Sequence, residues 1–263
     1  MKYVKNMLDT YKEVAFAYEK EMLKRDDVIG FMQLGGIARN RADSYSDIDI
    51  AVFSHKPLTD IKLGEQWVKD GCDLEVFNIA IDEGYEDWGE IKKEAYQEGY
   101  ISSDKTGEVK AFMEKALYYS DEDFIYNSLD MIFAMAWHGF IYTPYRNKVI
   151  HNYYWVLPSN LWHLRGEINN SYYLLRYCAE CFLRLLFVVN RRWAPDYKWR
   201  YLKSQKLTYL PKDYLKKMDF ILFKEDNEDN YPIKSRYLNE MLDEVVSKIE
   251  KDLPEDWHSV IEG

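Results

Sequence analysis

Apolar residues recur at helical spacing near the start of the chain. Val4, Leu8, Tyr11, Val14, Ala15, Tyr18 and Met22 fall on one face and predict an amphipathic helix over residues 3–24. The pattern then changes. DDVIGFMQLGG is a short apolar run closed by two glycines, which predicts a strand. Asp47 to Phe53 alternates acid with apolar residues and predicts a second strand. Residues 60–70 return to a helical pattern. Cys72 to Ile81 alternates again, a third strand, and residues 86–97 suggest another helix. The first ~100 residues therefore read as strands and helices around a small sheet.

Beyond residue 105 the strand signal disappears. Windows 107–119, 122–142, 167–190, 211–223 and 235–252 all carry helical periodicity, and Pro144, Pro158, Pro195, Pro211, Pro232 and Pro254 fall at their borders. The second half is expected to be a helical bundle. The whole is an α+β chain with a small mixed β-sheet domain, residues 1–110, followed by an all-α domain, residues 111–263.

Composition narrows the classes. Of 263 residues, 47% are hydrophobic and 30% charged, the balance of a globular chain. No apolar run approaches the ~18–20 residues of a membrane helix. The N-terminal stretch is charged throughout, unlike a signal peptide. Cys72, Cys178 and Cys181 are few and odd in number, so a reduced, cytoplasmic setting is expected. Cys178 and Cys181 form a CxxC inside a helical run without a second ligand pair, which reads as helix packing rather than zinc binding.

Thirty-five basic and 45 acidic side chains leave a net charge of -10, which argues against a generic duplex nucleic-acid binder. The acid excess suits cationic small molecules. Charge is also uneven. Arg184 to Lys217 holds ten basic residues against two acids, and Asp219 to Gly263 holds thirteen acids against five bases. Such a basic run is a solvated face or a phosphate-binding one.

The segment from Leu34 to Val52 carries the candidate chemistry. Gly35 and Gly36 close a strand, ten residues follow, and Asp47 and Asp49 then stand at i and i+2 in an apolar strand. Strand side chains alternate, so the two aspartates share a face. Neighbouring carboxylates repel unless a cation lies between them, and an all-oxygen ligand set suits Mg²⁺. The glycines let backbone N–H groups approach a phosphate.

This pattern resembles the nucleotidyltransferase superfamily that includes DNA polymerase beta and the antibiotic nucleotidyltransferases. The stretch ARNRADSYSDIDIAV is similar to the minimal and aminoglycoside-type members. Gly36 stands where many members have Ser. The resemblance implies a third carboxylate on a later strand. CDLEVFNIA offers Glu75, flanked by apolar Leu74 and Val76, with Asp73 as the alternative on the same face. It further implies two Mg²⁺ ions, with ATP or another NTP as co-substrate. Gly35, Gly36 and Ser46 would hold the phosphates. Arg39 would either add charge or brace the loop. The segment from Asn190 to Trp199 resembles one that follows the catalytic domain in antibiotic-type members. Lys198 would there touch the triphosphate, or else be a solvated lysine beside Trp199.

The activity implied is transfer of a nucleoside monophosphate from an NTP to a small-molecule hydroxyl, with aminoglycosides or lincosamides as possible acceptors. Tyr142, Tyr145, Tyr153, Tyr154, Trp155, Tyr172 and Tyr173 would line an acceptor cleft or pack the bundle. Glu122, Asp123 and Asp130 are candidate bases, each otherwise a surface or capping acid. The implied partners are the NTP and a small-molecule acceptor, with no duplex nucleic acid or membrane, in a monomer or homodimer. Two other readings stand beside this one. The first is nucleotidylation of a protein or tRNA, as in antitoxin-type members, although those catalytic proteins are usually shorter. The second is a HEPN-like RNase or interaction module, suggested by the Arg-x4-His spacing of Arg146 and His151.

Overall fold

The structure is a computed structural model and describes residues 4–61, 65–69, 72–144 and 159–259. The chain divides into two compact units, Met1–Tyr118 and Tyr119–Gly263.

In the first unit, helix α1 (Leu8–Met22) precedes strand β1 (Val28–Gln33) and a single helical turn, α2 (Gly35–Ala38). Strands β2 (Ile48–Ser54), β3 (Glu65–Lys69) and β4 (Cys72–Ala80) follow. Helix α3 (Glu90–Gln97), strand β5 (Tyr100–Asp104) and helix α4 (Glu108–Ala116) complete it. The five strands form one sheet in the order β3-β4-β2-β1-β5. β2 and β4 run parallel, and the other pairs are antiparallel, so the sheet is mixed.

Alternation along β2 sends its side chains to two different cores. Ile48, Ile50 and Val52 meet Tyr11, Val14, Ala15 and Tyr18 of α1 on one face. Ala51 and Phe53 meet Trp88, Tyr96, Val109 and Phe112 on the other. Glu19 of α1 breaks the apolar pattern. It is buried and accepts hydrogen bonds from Gln33 Nε2 at 2.8 Å and Ser102 Oγ at 2.8 Å. Gln33 in turn accepts from the Tyr100 hydroxyl. Burial holds the Glu19 pKa above its ordinary value, against the lowering effect of those two donors.

Two strands differ from the sequence reading. Residues 65–69, expected within a helix over 60–70, form an edge strand paired with β4 from Glu65↔Val76 to Lys69↔Cys72. The segment from Tyr100 to Asp104 is a strand that no pattern in the sequence predicts. It is the opposite edge, half-exposed and rich in serine, so it lacks an apolar alternation.

The second unit is helical: α5 (Asp121–Ala136), α6 (Leu161–Leu164), α7 (Ile168–Val189), α8 (Tyr197–Ser204), α9 (Tyr214–Phe223) and α10 (Asn230–Ile249). A capping box starts α5, with the Ser120 side chain accepting from the Asp123 N–H and Asp123 accepting from the Ser120 N–H. That helix ends six residues before the expected 142. The Phe140 N–H turns back to the Met135 carbonyl at 3.1 Å, which closes the helix. His138 therefore lies in a turn, half-buried and edge-on to Tyr177, rather than in mid-helix.

Leu175, Cys178, Phe182, Leu185 and Leu186 form the buried stripe of α7. Cys178 and Cys181 are free and buried, with both thiol pKa values pushed up by burial. Lys234 of α10 is fully buried. Its ammonium reaches the Lys224 carbonyl and Asp226, each at 2.6 Å, under the ring of Tyr172. Among the described residues, no helix is long and apolar enough to cross a membrane.

Candidate metal centre

β2 and β4 lie side by side in parallel, and their register sets Asp49 opposite Glu75. Asp47 stands two residues before Asp49, so its side chain turns to the same face. One carboxylate oxygen from each of Asp47, Asp49 and Glu75 lies within 4.8 Å of the others. Asp47 is exposed, while Asp49 and Glu75 are half-buried. Asp73 is exposed on the same strand face as Glu75 but is not in this group.

The three charges strain one another. Burial, and then the charge of Asp47, hold the Glu75 pKa above its ordinary value. A cation between the carboxylates would reverse that repulsion. The donor set is entirely oxygen, which suits a hard divalent ion.

Gly35 fits the group at close range. It has φ +54, and a Cβ there would lie 1.7 Å from Asp49 Oδ2. Only a residue without a side chain lets the turn after β1 approach that carboxylate. At Gly36 a Cβ would meet the Arg41 carbonyl oxygen at 2.8 Å, so a serine there would need a shift of backbone. The Leu34 N–H donates to the Asp49 carbonyl at 3.0 Å, fixing this turn to β2. As the first residues of α2, Gly35 and Gly36 carry N–H groups that have no acceptor within their own helical turn.

The connection back to β2 is also pinned. The Ser46 N–H donates to the Asp43 carbonyl at 2.9 Å, and Ser46 Oγ accepts from the Asp43 N–H at 3.1 Å. The serine hydroxyl proton remains available to donate. Arg39, half-buried, lies 3.9 Å from Glu98. Tyr96 of α3 is buried near Asp49, and its phenol pKa is raised first by burial and then by that charge. Nothing in the sequence marked Tyr96, because its distance along the chain from the motif hides its place beneath the sheet face.

The remaining expected residues belong to the second unit. Lys198 is exposed on α8. Tyr142 and Tyr172 are buried in the bundle, with hydroxyls bonded to Glu250 and to the Asn227 carbonyl, whereas Tyr173 is exposed. Asp123 caps α5, and Glu122 and Asp130 are exposed. Tyr145, Tyr153, Tyr154, Trp155, Arg146 and His151 lie outside the described residues.

No family model and no curated protein matches the chain. A solved structure described as a nucleotidyltransferase-like protein from Exiguobacterium sibiricum 255-15 is similar to it. The two share 11% identity and a TM-score of 0.42, over 92% of this chain and 78% of that one.

Proposed function

We propose that the chain is a Mg²⁺-dependent nucleotidyltransferase that moves a nucleoside monophosphate, AMP from ATP, onto the hydroxyl of a small-molecule acceptor. The observation that carries this reading is the convergence of Asp47, Asp49 and Glu75 beside a glycine turn that has no room for a side chain. Asp47, Asp49 and Glu75 would hold two Mg²⁺ ions. When bound, such ions neutralise charge on the attacking and leaving oxygens of an in-line displacement.

The protein's own part is positioning. The N–H groups of Gly35 and Gly36 and the Ser46 hydroxyl donate to the phosphates. Arg39, next to Glu98, braces the turn. The acceptor oxygen bonds to the α-phosphorus, the bond from that phosphorus to the bridging oxygen breaks, and pyrophosphate leaves. The hydroxyl proton is lost to solvent water as the new bond forms. The net charge of -10 favours a cationic acceptor of the aminoglycoside type.

The test is pyrophosphate release from each NTP with Mg²⁺, across aminoglycosides, lincosamides and bulk tRNA. The Asp47→Ala/Asp49→Ala double variant serves as control. Release that depends on a small-molecule acceptor and vanishes in the variant is expected. Release only with tRNA would move the acceptor to nucleic acid. Release unchanged in the variant would refute the metal assignment.

A further inference from the structure

Tyr45 is 87% exposed, the most exposed large hydrophobic side chain among the described residues. It sits two residues before Asp47, so their Cα atoms lie within about 7 Å of each other. Its surroundings are built rather than loose. The Tyr45 N–H donates to Asp43 Oδ1 at 2.9 Å, the Ser44 N–H to the Lys5 carbonyl at 3.1 Å, and the Met7 N–H to the Ala42 carbonyl at 3.1 Å. Asn6 and Asp43 add a β-bridge. With the two Asp43–Ser46 bonds, the turn is tied both internally and to the segment ahead of α1. It holds the Tyr45 ring out in solvent, and the phenol has no hydrogen-bond partner among the described residues.

A hydrogen-bonded turn that leaves a phenol exposed two residues from Asp47 gives up burial of a large ring. The phenol is a good donor to an anion, and the adjoining Ser46 is already assigned to the phosphates. We propose that the Tyr45 hydroxyl donates a hydrogen bond to the outermost phosphate of the bound triphosphate, making it a recognition residue for the pyrophosphate leaving group. This rests on the nucleotidyl-transfer reading of the same site. It explains why the ring is held outward: a donor buried against the protein would not reach a ligand bridging Asp47 and the glycine turn.

The experiment is calorimetric titration of the full chain with Mg²⁺ and ATP, tripolyphosphate or AMP, in wild type, Tyr45→Phe and Tyr45→Ala. Because the side chain is exposed, both variants should fold with the wild-type melting temperature. Loss of one hydrogen bond to a charged phosphate should weaken binding about tenfold. Tyr45→Phe is expected to lose that factor for both ATP and tripolyphosphate, and none for AMP. Tyr45→Ala should do no worse than Tyr45→Phe. If Tyr45→Phe binds like wild type while Tyr45→Ala loses ATP but not tripolyphosphate, the ring stacks on the base and the proposal fails. If neither variant changes any affinity, it fails too. If wild type binds neither ATP nor tripolyphosphate with Mg²⁺, nucleotidyl transfer itself is refuted, a result distinct from the variant outcomes.

Discussion

The tightest constraint in the molecule is at a single residue. Gly35 combines a left-handed backbone with a Cβ position 1.7 Å from a carboxylate oxygen. Gly35→Ala must therefore move either the turn or Asp49. The left-handed conformation alone costs a side-chain-bearing residue about 1–2 kcal/mol. The larger effect should be on the centre, with Mg²⁺ affinity falling at least tenfold as Asp49 is pushed out of register; metal titration beside a urea melt separates the two. In the second unit, Lys234 is the residue to test. It is completely buried, and Asp226 is mostly covered. Lys234→Met keeps the stem but takes the donor from the Lys224 carbonyl and leaves Asp226 with Arg176 alone, and breaking a buried pair costs about 3–5 kcal/mol. Since Asp226 keeps some solvent contact, the lower end of that range is expected in urea unfolding. Adding Asp226→Asn should recover part of it.

At the scale of elements, Glu19 ties α1 to β1 and β5 through a buried carboxylate that accepts from Gln33 and Ser102, with no ion pair among the described residues. Its folded pKa lies above 4.5, so the folded state holds the proton more tightly than the unfolded chain. Its contribution is fully present below pH 4.5 and is lost as pH rises through the folded value. Glu19→Gln should flatten that decline, being more stable than wild type at pH 8 and not at pH 4, as read from urea midpoints. The elements themselves were unevenly legible. β1, β2, β4 and the long helices α1, α7 and α10 stood out, because each buries a full face and its apolar period shows it. β3 and β5 did not, because they are edges: Tyr100 to Asp104 offers one partner strand and little buried surface, so no alternation is imposed. The centre was legible for the same reason as β2. The third carboxylate was not, because alternation puts Asp73 and Glu75 on one face alike; only the family resemblance called for it, and the register sets Glu75 opposite Asp49. Tyr96 and Tyr45 were not legible, since neither breaks a pattern; one is distant in sequence and the other is an ordinary loop tyrosine until its exposure is seen.

At the scale of the whole molecule, each unit closes its own core. Phe124 to Trp257 form one cluster, and Tyr11 to Ala116 supply two others on the opposite faces of the sheet. Among the described residues, none of the three clusters mixes residues from the two units. Separate cores imply separate cooperativity, so urea unfolding should proceed in two steps rather than one. The acidic centre belongs wholly to Met1–Tyr118. A ligand stabilises only the cooperative unit that binds it, by about 1.4 kcal/mol at ten times its dissociation constant. Mg²⁺ should therefore delay one transition and leave the other fixed, and the Asp47→Ala/Asp49→Ala variant should abolish the delay. Fluorescence can assign the steps, because Trp88 reports on the first unit and Trp193 and Trp257 on the second, all three being buried. A single transition shifted as a whole would mean that the two units unfold as one. Two transitions with Mg²⁺ acting on the helical one would place the binding site outside the Asp47 group and overturn the metal assignment.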